Sequence, residues 1–153
     1  MEQFTEFLDK YFIYIWLVLA VSMVSIFFIR GKAAIKMFEN LDLSNVAYSE
    51  KSASGYSTKS FGSKFGGASK VLHIIITDKE LVLKTYLFLA FIAKKNDLLH
   101  IIPLTTLTNT ELKDGRIFSK LHVRFTGIKG EEKEVVLMSK RNLEIKAILD
   151  KYV

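Results

Sequence analysis

Residues 11–29 read YFIYIWLVLAVSMVSIFFI, nineteen positions without one Asp, Glu, Lys or Arg. As a helix at 1.5 Å per residue this run is about 28 Å long, close to the roughly 30 Å hydrocarbon core of a bilayer. Twelve of the nineteen are Leu, Ile, Val or Phe. At about −0.3 to −0.6 kcal/mol each, these favour insertion by roughly 4 to 7 kcal/mol before polar residues are counted. Ser22 and Ser25 subtract little, because each can bond back to a carbonyl one turn earlier. A buried core helix rarely stays uncharged on every face for five turns. A cleaved signal peptide calls for a basic leader and a shorter apolar core, whereas Glu2, Glu6 and Asp9 precede this run against Lys10 alone. The run is therefore expected to be an uncleaved transmembrane helix over 11–30.

The flanks set an expected orientation. Arg30, Lys32 and Lys36 follow the span, and Lys10 stands alone before it. The positive-inside rule puts the N-terminus outside and everything from Gly31 onward in the cytoplasm, at the plasma (inner) membrane. Tyr11, Tyr14 and Trp16 suit the outer interface. Phe4, Phe7, Leu8 and Tyr11 have helical spacing, which predicts a short amphipathic segment over 1–10 lying in that interface. Ala34, Met37, Phe38 and Leu41 continue the spacing, so 31–45 is expected to be a juxtamembrane helix and connector, with Lys32 and Lys36 snorkelling to headgroups.

About 120 residues remain, enough for one domain with its own core. The chain has no cysteine, so disulfides, thiolate nucleophiles and Cys-ligated metals are excluded. Residues 31–153 hold 20 Lys and Arg against 13 Asp and Glu, an excess of 7 that an anionic leaflet attracts. No basic recognition helix is evident, so no nucleic-acid partner is expected.

Residues 44–70 form a Ser/Gly-rich arm. Over 42–70 there are eight serines and four glycines, and the arm is expected to be irregular, with one weak strand at 46–52. Tyr48, Tyr56, Phe61 and Phe65 recur in it, so it should fold back over the domain and bury some of these rings. Strands are expected across 71–139. VLHIIIT (71–77) and ELVLKTY (80–86) make a hairpin about Asp78-Lys79. YLFLAFIA (86–93) is read as a strand apolar on both faces, with Leu87 and Leu89 outward. Pro103 splits 98–113 into two strand pieces, and Asp114-Gly115 signals a two-residue hairpin. Leu121, Val123 and Phe125 alternate with His122 and Arg124, and 133–139 is the last strand. An amphipathic helix over 140–153 follows, with Ser139 as N-cap and Ile145, Ile148, Leu149 and Tyr152 as its stripe. The fold class is thus α+β, mainly β: a membrane helix, then an antiparallel barrel capped by a C-terminal helix.

Three stretches carry a resemblance: GYSTKSFGSKFGGASKVLHIIIT, ITDKELVLKT and HIIPLTTLTNTEL. With the strand-then-helix order they are similar to pleckstrin-homology-like (PH-like) domains, including the bacterial PH-like and GRAM-like ones, over about residues 50–153. The resemblance implies a binding module without a cofactor. Phosphoinositide-binding members carry dense Lys/Arg in the first hairpin loop, where this chain has only Lys59, Lys64 and Lys70.

No catalytic or metal-ligating set emerges from the residues. His73, His100 and His122 lack His-x-x-x-His or Glu-x-x-His spacing, and no serine sits in a Gly-x-Ser-x-Gly elbow. Two candidate sites remain. Lys59, Lys64, Gly66, Gly67 and Lys70 could form a nest of amides for a phosphate or headgroup, or a solvated loop whose aromatics pack home. Tyr86, Leu87, Phe88, Leu89, Phe91 and Ile92 form an apolar patch that the arm covers, lipid contacts, or a partner docks on. The expected role is a non-enzymatic membrane-anchored adaptor that binds another membrane or membrane-associated protein, possible self-association included. An anionic-lipid headgroup domain is the alternative, and an enzyme of unrecognised type the distant one.

Overall fold

The computed structural model describes residues 2–59, 67–115 and 119–153, with only the backbone described for 2–9. One uninterrupted helix, α1, runs Glu2–Ile35 and passes into a 3-10 turn at Lys36–Phe38. No break separates residues 2–10 from the apolar run, so the described part of the expected separate segment over 1–10 is instead the first part of α1. A short connector leads to β1 (Val46–Ser57), β2 (Ala68–Thr77) and β3 (Glu80–Thr85). Then come α2 (Leu87–Lys95), β4 (His100–Pro103), a 3-10 turn (Leu104–Thr106), β5 (Leu107–Lys113), β6 (Lys120–Thr126), β7 (Glu132–Met138) and α3 (Asn142–Leu149).

The seven strands form one antiparallel sheet in the order β4-β3-β2-β1-β7-β6-β5. Its edge strands β4 and β5 are joined by only three residues. Laid flat, seven strands would hold their edges about 29 Å apart, roughly two to three times what three residues can span. The sheet must therefore curl strongly about its core, yet β4 and β5 do not pair and it is not closed. Leu72, Ile74, Ile76, Leu81, Leu83, Leu121, Val123 and Leu137 fill the inside. Ala90 and Ala93 of α2 and Ile145 and Leu149 of α3 join the same core.

The Ser/Gly arm is not an irregular cover. It supplies the twelve-residue central strand, β1, which pairs with β2 along most of its length and with β7 over Ser54–Ser57. Ala53, Gly55 and Ser57 point inward, a period-2 pattern written in small residues. A Cβ on Gly55 would lie 3.0 Å from both Leu72 Cδ2 and the Val136 carbonyl oxygen. Small side chains therefore let β1 pass through the crowded bend shared by three strands. Of the arm's four aromatics, Tyr48 is buried and Tyr56 half-buried, and Phe61 and Phe65 lie outside the described residues.

Residues 86–93 are not a strand. Tyr86 is extended, and 87–95 form helix α2. A continuous apolar run fits a doubly buried strand or a buried helix equally well. Here contact with α1 decides. Gly31 faces Leu87, and a Cβ at 31 would collide with the Leu87 carbonyl oxygen. Lys94 and Lys95 fall in the last turn, where the helix dipole favours cations.

Two ends differ from expectation. Lys113 pairs with Lys120, so the β5–β6 connection is 114–119 rather than a two-residue turn at Asp114-Gly115. The last helix is Asn142–Leu149, shorter than 140–153, and Ser139 is not its N-cap. Ser139 Oγ instead accepts the Arg141 N–H at 2.8 Å. The organiser is Asn142, 1 % exposed. Its Nδ2 donates to the Ser119 and Leu137 carbonyls at 2.6 and 3.3 Å, and its Oδ1 accepts the Ser139 N–H. Asn142→Leu strands those buried partners and is expected to cost about 2 kcal/mol or more, measured by denaturant unfolding in neutral detergent.

The sign of a second substitution tests the helix contact. An exposed helical Gly→Ala change stabilises by about 0.5–1 kcal/mol. Against the Leu87 carbonyl, Gly31→Ala is expected instead to destabilise by about 1–3 kcal/mol. A stabilised variant in the same measurement would show that α1 and α2 do not meet as described.

Candidate functional site

The site begins where α1 leaves its apolar run. Every residue from Tyr11 to Ile26 is exposed, and only toward Phe27–Ala34 does α1 bury a face, against α2. Gly31 and Ala34 give the backbone of α2 its close approach, as small residues do at tight helix crossings. Aromatic rings flank it. Phe27 meets Phe91 edge-on with centroids 6.3 Å apart, and Phe28 meets Phe88 at 6.1 Å.

The expected interface cations sit at this junction. The Arg30 guanidinium lies 5.0 Å from the Phe91 ring centroid and Lys32 Nζ lies 4.8 Å from that of Phe28. Lys36 is exposed in the following 3-10 turn. Arg30 and Lys32 thus each lie over a phenylalanine ring of this junction, and Lys36 follows beyond it.

The apolar patch is divided by its helical form. Leu87, Leu89 and Phe91 are half-buried, so Leu87 and Leu89 are not the outward pair. Tyr86, Phe88 and Ile92 are the exposed ones, at 57, 52 and 42 %. Phe88 and Ile92 are four apart and share one face, which continues the exposed apolar surface of α1 beside them.

The candidate loop is dispersed where it is described. Lys59 Nζ is 3.9 Å from Asp97 Oδ2, in a cleft with Lys133. Lys70 lies instead on a groove with Ser52, Ser54 and Lys140. Its φ of 56° marks an irregular step in β2, and its N–H donates to Ser54 Oγ at 2.9 Å. Gly67 is exposed beside it, while Lys64 and Gly66 lie outside the described residues. The two described lysines therefore line different clefts.

Asp97, with φ 55°, lies within the loop after α2 and gathers charges that the sequence does not reveal. Lys133 Nζ approaches its Oδ1 at 3.6 Å, and His100 Nε2 lies 2.7 Å from its carbonyl oxygen. Nearby, Glu134 Oε1 accepts from His122 Nδ1 and Arg124 Nε, each at 3.1 Å. Burial pushes the Glu134 carboxyl up, but these hydrogen bonds outweigh it and hold the group below its usual range. Among the described residues no three His, Asp or Glu side chains are grouped to hold a metal ion.

No protein-family model matches the chain, and no curated protein is significantly similar to it.

His100 makes a pH prediction. Its ring is packed edge-on to Phe125 at 5.3 Å, and burial pushes its pKa below 6.5 despite the Asp97 contacts. The folded state thus binds the His100 proton less readily than the unfolded chain does. That stability is present above about pH 6.5 and is lost as pH falls below it. Thermal unfolding midpoints are expected to drop from pH 7 to 5, with a shallower slope in His100→Gln.

Proposed function

We propose that this chain is a single-pass membrane protein, N-terminus outside, whose cytoplasmic part is a PH-like, partly open barrel seated on the inner leaflet. It acts by binding rather than catalysis, as an adaptor for another membrane-associated protein. The observation that carries this reading is the α1–α2 junction. Among the described residues one helix is long and apolar enough to cross a membrane, Lys10–Phe38, and none of its most apolar stretch is buried against protein. The domain grips that helix through α2 at the cationic end of the span. With 39–45 as the only connector between them, the domain has no tether to search the bulk cytoplasm. That position favours a partner that itself lies at the membrane.

The exposed face of α2 fits the bilayer itself. Phe88 stands level with Phe28, where the apolar run gives way to Arg30 and Lys32, the level of the headgroup–acyl boundary. Lys94 and Lys95 are exposed at the C-terminal end of α2.

Two measurements test the reading. In Trp16→Phe/Phe88→Trp protein reconstituted in vesicles, lipids brominated near the headgroup end should quench the introduced tryptophan strongly. Quenching no greater than for a soluble indole would refute the seated orientation. A reporter active on only one side of the membrane, fused after Val153, should report the cytoplasm, and replacing Arg30, Lys32 and Lys36 with Gln should weaken or invert that preference.

A further inference from the structure

Three basic side chains stand in a row across the face of β1, β2 and β3 that looks away from the core. His73 is the ladder partner of Lys84, and Lys51 follows Glu50, the partner of Ile74. With Val71, Thr85 and Tyr86 they line a cavity of about 220 Å³. Water occupies about 30 Å³ apiece in the liquid, so there is room for a tetrahedral oxyanion and several waters.

The charges lining this cavity are all of one sign. Lys59, Lys113, Lys133 and Lys146 each have a carboxylate within ion-pair distance. Among the described residues neither Lys51 nor Lys84 has one. The nearest acid in sequence, Glu50, is engaged with the Tyr48 and Ser139 hydroxyls. His73 Nε2 lies 3.0 Å from Ser49 Oγ, which fixes the ring between the two lysines. Burial, then the charges of Lys84 and Lys51, push the imidazole below its usual pKa. The groups facing it are Lys51 from β1, Lys84 from β3 and the Tyr86 phenol, and none carries negative charge at neutral pH. Positions this crowded with cations are stabilised by an anion that all of them can reach.

We infer that the Lys51–His73–Lys84 cradle binds a phosphate group, supplied by an anionic lipid headgroup or by a free phosphate. The cradle belongs to the strands, not to the connection between β1 and β2 that contains Lys64 and Gly66. Tyr86 closes one side of it and is the residue from which α2 starts, so the cavity opens beside the helix assigned to the membrane surface. The phosphate chemistry stands on the sheet geometry, and only the lipid as its source rests on the membrane-seated reading.

The test follows the imidazole titrations of the full chain by NMR, with His100 and His122 as internal references. In neutral-detergent micelles, inorganic phosphate at matched ionic strength is expected to raise the His73 midpoint by about half a pH unit or more, because an adjacent anion favours imidazolium. The reference histidines should not follow, and Lys51→Gln/Lys84→Gln should abolish the rise. In a second arm without free phosphate, nanodiscs containing phosphatidylglycerol are compared with pure phosphatidylcholine. A rise in both arms makes the headgroup a ligand, and a rise with inorganic phosphate alone makes the cradle a free-phosphate site. No rise in either arm, or an equal rise in the double variant, overturns the inference. Failure of the membrane-seated reading would appear separately, as an unquenched Phe88→Trp.

Discussion

The contact between Gly31 and the carbonyl of Leu87 governs how the two halves of this molecule relate. A hydrogen side chain there lets two helix backbones approach more closely than any other residue permits. Phe27–Phe91 and Phe28–Phe88 pack beside that approach, and Ala34, Ala90 and Ala93 carry it into the domain core. The long apolar helix is therefore continuous in packing with the sheet it precedes. Close packing transmits position, so the level and tilt of α1 determine where the sheet and its clefts lie.

The sheet answers a second constraint. A seven-stranded sheet whose edge strands are three residues apart must bend, and its central strand must pass through the bend. β1 does so with Ala53, Gly55 and Ser57 inward and irregular pairing to β2 on either side. Bulges increase local twist and bend the strand that carries them. α2 and α3 then fill the space that an unclosed sheet leaves uncovered, each contributing two buried side chains to the common core.

Charge is distributed by the same architecture. The ends of β6 and β7 and the loop after α2 pair their cations with Asp97, Glu111 and Glu134, which satisfies these groups within the domain. Across the middle of β1, β2 and β3 the cations are left facing solvent together. Lys51, His73 and Lys84 thus form one unpaired group beside Tyr86, the residue that precedes α2.

Local chemistry made much of this legible. The uncharged run 11–29 reads as one long apolar helix wherever it lies, because no face of it can seek water. The Asp78-Lys79 turn, the split at Pro103, the alternation of Leu121, Val123 and Phe125, and the buried Ile145 and Leu149 are all written in near neighbours. Two elements were not. In β1 the inward pattern is spelled in Ala, Gly and Ser, which carry little hydrophobic signal and resemble a linker. In 87–95 the apolar run has no period, so helix and strand were equally open until α1 supplied Gly31 and Ala34 as a surface to pack on. The membership of Asn142 in the core, the gathering of charge at Asp97 and the alignment of Lys51, His73 and Lys84 likewise join residues far apart in the chain. Which side chains meet across a curled sheet depends on register and bulges, and those are set only when the strands pair.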